Sequence, residues 1–474
     1  MQVLKYVVSN KALPWWIKLY FALIFALVVF VAFNLAVGIY NKWDITPVII
    51  GISSTLTPIN KIPFPAITVC NMNQAKKSKV EHLLPGSLKF AMLQKTCYRE
   101  TNYSQYMHIQ QRNESFPNFI IDVSEKCADL IVSCTFHQQK IPCTDIFREI
   151  FVDEGLCCIF NFLHPYYLYK FKSPYIQDYT SSKRFADIAV DWDPISGYPL
   201  RLPSSYYPRP GVGVGSAMGL QIILNGHVDD YFCSSTNGQG FKVLLYNPID
   251  QPRMKESGLP VMIGHQTSFR IIARSFEALP SIRSIHKSKR QCIFSDEQEL
   301  LFYRYFSRRN CESECDSLFF LRLCNCIPYY LPLVYPNATV CDVSHFQCLN
   351  GAESQIFDVQ SSQCKEQCLT SCHDLIFFPD AFTTPLSQKE VRAQSSYLNN
   401  LSSDYIRNNL AVVNFFHTDN YFRSSVRTSY TGPTEYMALT GGIMSLMIGF
   451  SVIFIAEIIY IFLLFLTLLL LIIF

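Results

Sequence analysis

The chain of 474 residues is poor in charged side chains, which make up only 16% of it, and its net charge is only +3. Soluble domains usually carry about 25% charged residues. A nucleic-acid-binding domain would need a strong basic excess, so we expect no nucleic-acid partner. The sequence also lacks a His-Glu-x-x-His motif, a Gly-x-Ser-x-Gly motif and a Walker motif. We therefore expect neither an enzyme nor a bound cofactor or metal.

Two weaker signals do not change that expectation. The one glycine-rich stretch, residues 208–215, lacks the lysine that a phosphate loop requires, and we interpret it as a loop before a strand. The ten histidines are scattered, and we expect most of them to be ordinary surface or hydrogen-bonded residues rather than proton sensors.

A long apolar run lies near the start of the chain. Residues 19–39 contain no charge, and tryptophan and tyrosine side chains flank the run on both sides. About 20 apolar residues in a helix cross the ~30 Å core of a bilayer, and aromatic rings favour its two interfaces. A cleaved signal peptide would have a shorter apolar core. We predict a transmembrane helix over residues 19–40, after a short N-terminal segment, 1–18, which is cytoplasmic because its only charges are lysines.

A second apolar run, residues 436–474, contains a single charge, Glu457. As one straight helix it would be longer than a bilayer is thick, so part of it must be broken, tilted or outside. We predict that this segment is the second transmembrane helix and that it returns the chain to the cytoplasm. The expected location is the plasma membrane, with two spans in contact with lipid and both termini cytoplasmic.

Residues 41–435 should then lie outside the cell. All 18 cysteines fall between Cys70 and Cys372, and all Asn-x-Ser/Thr sequons fall in the same segment, at Asn102, Asn113, Asn337 and Asn400. Some cysteine spacings after residue 310 would suit zinc loosely, but an oxidising compartment favours disulfides. Repeated spacings of four favour two helical segments joined as a ladder, although spacing alone leaves the pairing open.

The exterior also contains patterns that are typical of strands. Residues 66–70, 217–224 and 240–246 are β-branched or aromatic runs bounded by proline, glycine or asparagine. Residues 295–309 have helical apolar spacing instead, which predicts a helix. The fold class that follows is membrane α+β, with two transmembrane helices flanking a large, disulfide-rich, β-rich extracellular domain.

Small residues recur in the second apolar run. Gly441 and Ser445 are four residues apart, and Gly442 adjoins them, so helices could approach closely here. Further along, Gly449 and Ser451 flank Phe450, and Glu457 follows. An acid inside a membrane favours a water-filled path, and in an oligomer it becomes a ring of carboxylates that attracts cations.

Three of these motifs resemble a known family, the degenerin/epithelial sodium channel superfamily. They are the Phe-Pro-Ala-Ile-Thr-Val-Cys-Asn sequence at 64–71, the cysteine array at 292–372, and Gly-Phe-Ser at 449–451 with Glu457 downstream. The double cysteine at 157–158 is similar to the insect pickpocket branch.

The resemblance implies a homo- or heterotrimeric, chalice-like channel whose exterior has a helical thumb and finger. It implies a pore-forming subunit that is sodium-selective, voltage-independent and amiloride-sensitive, with Na⁺ as the permeant ion and residues 449–451 as the selectivity filter. It also implies that Ala438 occupies the degenerin position, where bulky residues hold the pore open. The alternative is a non-conducting accessory or receptor subunit whose exterior binds a ligand.

The family's disulfide pattern implies seven pairs in this sequence: Cys97–Cys157, Cys134–Cys143, Cys292–Cys372, Cys311–Cys368, Cys315–Cys364, Cys324–Cys348 and Cys326–Cys341. It leaves Cys70, Cys127, Cys158 and Cys233 unassigned. The sequence departs from the family in three places: Met1-Gln2 stands where the family has His-Gly, the cytoplasmic tail is absent, and Leu439 replaces the Asp of acid-sensing members.

Overall fold

The structure is a computed structural model that describes residues 14–98, 103, 115–171, 192–194, 196–199, 207–355, 364–386, 395–430 and 433–448. These residues fall in two compact units. The first consists of the described residues within 1–51, 278–291 and 426–474, and the second consists of those within 52–277 and 292–425.

Six longer helices are labelled in chain order: α1 Trp15–Ile45, α2 Leu88–Cys97, α3 Phe116–Val123, α4 Arg308–Cys324, α5 Phe346–Gln355 and α6 Pro433–Ile448. Shorter helical turns occupy Lys77–Val80, Cys127–Leu130, Cys143–Ile146, Pro165–Leu168, Met254–Ser257, Lys287–Arg290, Ser396–Asn399 and Ser403–Asn409.

The strands are β1 Val48–Pro58, β2 Ala66–Asn71, β3 Asn73–Lys76, β4 Ile131–Phe136, β5 Gln139–Lys140, β6 Phe147–Val152, β7 Gly155–Phe160, β8 Leu220–Asn225, β9 Tyr231–Ser234, β10 Phe241–Tyr246, β11 Leu259–Val261, β12 His265–Ala278, β13 Cys292–Ile293, β14 Thr370–Ser371, β15 Asp374–Pro385, β16 Leu410–His417 and β17 Tyr421–Ser429.

Helix α1 contains the predicted span. It begins after Pro14, runs for 31 residues, and most of its apolar side chains are exposed. Among the described residues it is the helix that is long and apolar enough to cross a membrane. The predicted second span begins within α6, and its continuation from residue 449 lies outside the described residues.

Two sheets form the centre of the second unit. The larger has eight strands, in the order β1-β17-β12-β16-β8-β4-β5 with β15 paired to β12, and the smaller has the order β11-β10-β2-β7-β6. Val69 and Val243 of the smaller sheet share one hydrophobic core with Phe136, Phe269 and Phe415 of the larger. The two sheets therefore pack face to face.

A second core is helical. Leu93 of α2, Ile120 of α3, Phe320 of α4 and Phe346 of α5 are buried together, against Phe151 of β6. Aromatic and aliphatic side chains at helical spacing drive this packing. The core joins the ladder-bearing helix α4 to the edge of the smaller sheet.

The predicted strands are present: 66–70 lies in β2, 240–246 in β10, and 217–224 overlaps β8 after a short 3₁₀ turn. The predicted helix over 295–309 is wrong, because the helix begins only at Arg308 with Ser307 as its N-cap. The backbone N–H groups of Leu301 and Phe302 instead donate to the buried carboxylate of Glu314, at 2.8 and 2.7 Å. A side chain thus satisfies the donors that a helix would have satisfied.

All 18 cysteines form disulfides. The structure contains six of the implied pairs: Cys134–Cys143, Cys292–Cys372, Cys311–Cys368, Cys315–Cys364, Cys324–Cys348 and Cys326–Cys341. The remaining three bonds are Cys70–Cys157, Cys97–Cys233 and Cys127–Cys158. Every bond thus joins two residues within 70–233 or two within 292–372.

The implied pair Cys97–Cys157 is therefore wrong. Strands β2 and β7 are antiparallel with Val69 opposite Cys158, and continuing that register brings Cys70 opposite Cys157, with their Cα atoms 4.6 Å apart. Cys97 ends helix α2 and packs at the helical core beside Cys233. The strand register therefore places Cys70, rather than Cys97, beside Cys157.

Candidate functional site

The end of α1 and the start of α6 meet through aromatic rings. In the first unit, the ring centroid of Tyr436 on α6 lies 6.0 Å from that of Trp43 and 6.5 Å from that of Tyr40 on α1. Tyr40 and Trp43 are themselves 5.9 Å apart. These rings follow the apolar run of α1, where a membrane interface favours amphipathic aromatic side chains.

Charged side chains in the same unit attach further segments to this end of α1. Lys289, from the basic turn that precedes β13, forms an ion pair with Asp44. The ammonium of Lys42 lies 4.8 Å from the ring centroid of Tyr430, and the backbone N–H of Tyr430 donates to the carbonyl of Pro47. The turn at 287–290 and the end of β17 are thus held to the helix.

Helix α6 has two unlike faces. Tyr436, Thr440, Ile443 and Met444 are half-buried and recur at helical spacing on the side of α1. The predicted gating and packing residues are exposed instead, and they are Ala438, Gly441, Gly442 and Ser445. A Cβ atom added at either glycine would meet nothing within 4 Å. This face is therefore uncovered in the described part of a single chain.

The predicted filter residues Gly449, Phe450 and Ser451, and Glu457 after them, lie outside the described residues. Two of the predicted glycosylation sites are described, and both Asn337 and Asn400 are exposed. Asn102 and Asn113 lie outside the described ranges.

A buried carboxylate organises a polar cluster in the second unit, which sequence reasoning did not find. Glu125, 4% exposed, lies with one oxygen 2.5 Å from Nδ1 of His227, and its other oxygen accepts a 2.7 Å hydrogen bond from Asn71. The ammonium of Lys76 is 3.9 Å away. Nε2 of His227 lies 2.9 Å from the side-chain nitrogen of Asn225. The cluster joins residues from four separate segments.

Hydrogen bonding to Glu125 raises the pKa of His227 above its ordinary value, although partial burial opposes the shift. Burial lowers the pKa of His417 to about 4, and burial together with Arg148 lowers that of His164 to about 4. His227 therefore holds a proton more readily than these two histidines. No sequence motif marks it, since its carboxylate partner is 102 residues away.

A cavity of about 470 Å³ lies beside α4 and α5, also in the second unit. Its lining combines the apolar side chains Phe320 and Leu331 with Tyr330, Arg253 and Asp316. The guanidinium of Arg253 pairs with Asp316 and Glu256, and these carboxylates raise its pKa against the effect of burial. The volume is within the ~300–1,000 Å³ of small-molecule sites.

Comparison with known proteins decides the family. Residues 1–461 match the family described as "Amiloride-sensitive sodium channel". The chain is 34% identical to Pickpocket protein 28 of Drosophila melanogaster over 448 residues, which cover 94% of this chain and 73% of that protein. The chain belongs to the amiloride-sensitive sodium channel family.

Two further relatives are more distant. Sodium channel protein Nach of Drosophila melanogaster is 20% identical over 460 residues, covering 93% of this chain and 81% of that protein. Acid-sensing ion channel 2 of Homo sapiens is 24% identical over 432 residues, covering 83% and 71%. Within the amiloride-sensitive sodium channel family, the chain is an insect pickpocket-like subunit.

The family consists of sodium or cation channels rather than enzymes, and its members are oligomeric and embedded in membranes. The resemblance found in the sequence motifs is thus confirmed, and so are the ion-channel, transmembrane and disulfide features expected from it. The motif at 64–71, the cysteine array at 292–372 and Gly-Phe-Ser at 449–451 with Glu457 were sufficient signals for the family. The Glu125–His227 cluster and the cavity beside α4 were not accessible to sequence reasoning.

Proposed function

We propose that this chain is a pore-forming subunit of a trimeric, sodium-selective, voltage-independent and amiloride-sensitive cation channel in the plasma membrane. The observation that carries the proposal is the extent of the family match, which runs through residue 461 and so includes the Gly-Phe-Ser sequence at 449–451 and Glu457. Backbone carbonyls, hydroxyls and carboxylates are suitable ligands for a hard monovalent cation such as Na⁺.

The geometry of α6 supports assembly around a shared axis. One chain supplies two apolar segments, which cannot surround a pore alone. The uncovered face with Ala438, Gly441, Gly442 and Ser445 lets equivalent helices of three subunits approach closely. In that arrangement both termini are cytoplasmic, residues 41–435 are extracellular, and 436–474 forms the second span.

The alternative is a non-conducting accessory or receptor subunit. Such a subunit would need the exterior but not an ion path, and the match through the filter sequence favours the channel. The cavity beside α4 supports a narrower version of the receptor idea, in which an extracellular ligand binds the conducting subunit itself.

The test is to record whole-cell currents from the chain expressed alone and with a related subunit, while surface biotinylation measures its delivery. We expect a current that is independent of voltage gating, carried by Na⁺ in preference to K⁺, and blocked by amiloride. Surface protein without a Na⁺ current in either condition would contradict the pore-forming role and favour the accessory subunit.

A further inference from the structure

Two rungs of the disulfide ladder are close enough to exchange partners. Cys315 is bonded to Cys364 and Cys311 to Cys368, yet Sγ of Cys315 lies only 3.7 Å from Sγ of Cys368. Among the described residues, Cys311, Cys315 and Cys368 form the group whose sulfur atoms all lie within 4.8 Å of one another. The cause is helical spacing, which presents Cys311 and Cys315 from successive turns of α4 to one facing segment.

The accessibility of these sulfur atoms is unequal. Cys311, Cys315 and Cys368 are 6%, 7% and 2% exposed, whereas Cys364 is only partly buried. A thiol from solvent therefore reaches the Cys315–Cys364 bond from the Cys364 side. Attack there expels Cys315, which is buried next to the second bond.

We propose that the Cys315–Cys364 rung is a thiol–disulfide exchange site for a small extracellular thiol of the glutathione type. The thiolate attacks Sγ of Cys364, the Cys315–Cys364 bond breaks, and Cys364 carries a mixed disulfide while Cys315 leaves as a thiolate. The Cys315 thiolate then attacks Sγ of Cys368, the Cys311–Cys368 bond breaks, and Cys311 leaves as a thiolate that water protonates. One thiol enters and one thiol is released, so no oxidant is required.

Neighbouring side chains favour the second step. The ammonium of Lys365 lies 2.8 Å from the carboxylate of Asp316, so the residues that follow Cys364 and Cys315 hold the two segments together after the rung opens. A nucleophile held this close reacts at a high effective concentration. The side-chain N–H of Gln298 points to Sγ of Cys311 at 3.9 Å, where it stabilises the departing thiolate.

In the product, the segment that carries Cys368 is attached to α4 at a different position. Cys368 is bonded to Cys311 before exchange and to Cys315 afterwards, which is four residues or about 6 Å further along α4. The segment that carries Cys368 leads directly to β14 and β15. The exchange therefore resets where that segment is attached to α4 and leaves the Cys292–Cys372 bond intact.

The experiment maps disulfides in the purified full-length protein after graded glutathione treatment, alkylation and mass spectrometry. Proteolysis after Glu312 or Glu314 separates Cys311 from Cys315, and proteolysis after Lys365 separates Cys364 from Cys368. We expect loss of the Cys311–Cys368 peptide, gain of a Cys315–Cys368 peptide, glutathione on Cys364 and alkylated Cys311. Alkylated Cys315 with an intact Cys311–Cys368 peptide would overturn the proposal.

Two substitutions approach the same product from opposite sides. Cys364→Ser should yield the Cys315–Cys368 bond with a free thiol at Cys311, and Cys311→Ser should yield the same bond with a free thiol at Cys364. Cys348→Ser is the matched control, because it leaves Cys324 outside the three-sulfur group. A free Cys315 in the first variant, or a free Cys368 in the second, would contradict the exchange even if the wild-type protein resisted glutathione.

Discussion

Nδ1 of His227 lies 2.5 Å from a carboxylate oxygen of Glu125, which is the closest contact between ionisable side chains in the polar cluster. The carboxylate is 4% exposed, whereas the histidine side chain is 38% exposed and so can exchange protons with solvent. Lys76 and Asp129 also face the pair, with opposite effects on the histidine charge. The contact therefore makes the packing around Glu125 depend on the pH of the surrounding solvent.

We predict that His227→Asn removes a pH-dependent part of the stability. The folded pKa of His227 is raised, so its contribution is complete below the ordinary value of about 6.5 and disappears as the pH rises through the folded value. The difference in unfolding temperature between wild type and variant should be larger at pH 6 than at pH 9. Asparagine tolerates the left-handed backbone at this position, where φ is 45°. The exposed His286→Asn change is the control, and an equal pH dependence in both variants would argue against the pair.

The buried ion pair between Glu154 and Lys242 leads to a second prediction. Their charged atoms are 2.6 Å apart, with side chains 1% and 12% exposed. Lys242→Met leaves a buried carboxylate without its cation and should lower the free energy of unfolding by about 3–5 kcal/mol. Denaturant unfolding of the oxidised protein measures this, and Glu154→Gln in the same chain should recover most of the loss.

The control for that pair is Lys79→Met, which removes an exposed ion pair with Asp122. Pairs of that kind contribute about 0–1 kcal/mol. Equal losses in the Lys79 and Lys242 variants would show that the buried pair has no special role.

A third prediction concerns gating. Ala438 is exposed on the uncovered face of α6, where the proposed trimer brings equivalent helices together. Ala438→Val and Ala438→Phe should prevent close approach in the shut state and raise the basal Na⁺ current. Met437→Leu, at an exposed neighbouring position, is the control. An unchanged basal current at normal surface expression in both Ala438 variants would remove this residue from the gate.

The fourth prediction concerns ion selectivity. Ser451→Ala or Ser451→Cys should weaken discrimination between Na⁺ and K⁺, because in the proposed filter the hydroxyl replaces part of the ion's water shell. Glu457 follows six residues after Ser451, and in the proposed trimer it supplies three carboxylates. Glu457→Gln should therefore lower unit conductance or the preference for cations over anions. Reversal potentials under bi-ionic conditions and single-channel recordings are the measurements, and wild-type values in both variants would exclude these residues from the ion path.

Sequence reasoning was strongest where chemistry repeats at fixed spacing. The spacing of Cys311 and Cys315 indicated a helix with cysteines on successive turns, and α4 has that form. The family's disulfide pattern gave the wrong partner for Cys157 and none for Cys158. These two cysteines are adjacent in β7 and therefore point to opposite faces of the sheet. Cys158 belongs to the core between the sheets and Cys157 to another core. Strand register pairs Cys157 with Cys70, and Cys158 on the opposite face bonds to Cys127 of the helical turn 127–130.

The predicted site residues also differ in how far the structure describes them. Ala438 and the small residues of α6 are described and exposed, but their role remains a prediction because their packing depends on other chains. Residues 449–451 and Glu457 stay predictions from sequence. The role of His227 could not be predicted from the sequence for a different reason. Its partner Glu125 is distant in the sequence, and only the fold brings the two side chains together.

The separation of the disulfides into 70–233 and 292–372 has a consequence for biosynthesis. The bonds of the first set can all close on a chain that has been translocated only as far as Cys233, before Cys292 emerges. No cysteine of residues 70–233 then depends on a partner in residues 292–372 to form its native bond. No disulfide joins the two halves, and they are held together by noncovalent contacts such as the pairing of β16 with β8. A nascent chain stalled after residue 233 should therefore already migrate as an oxidised species with native bonds.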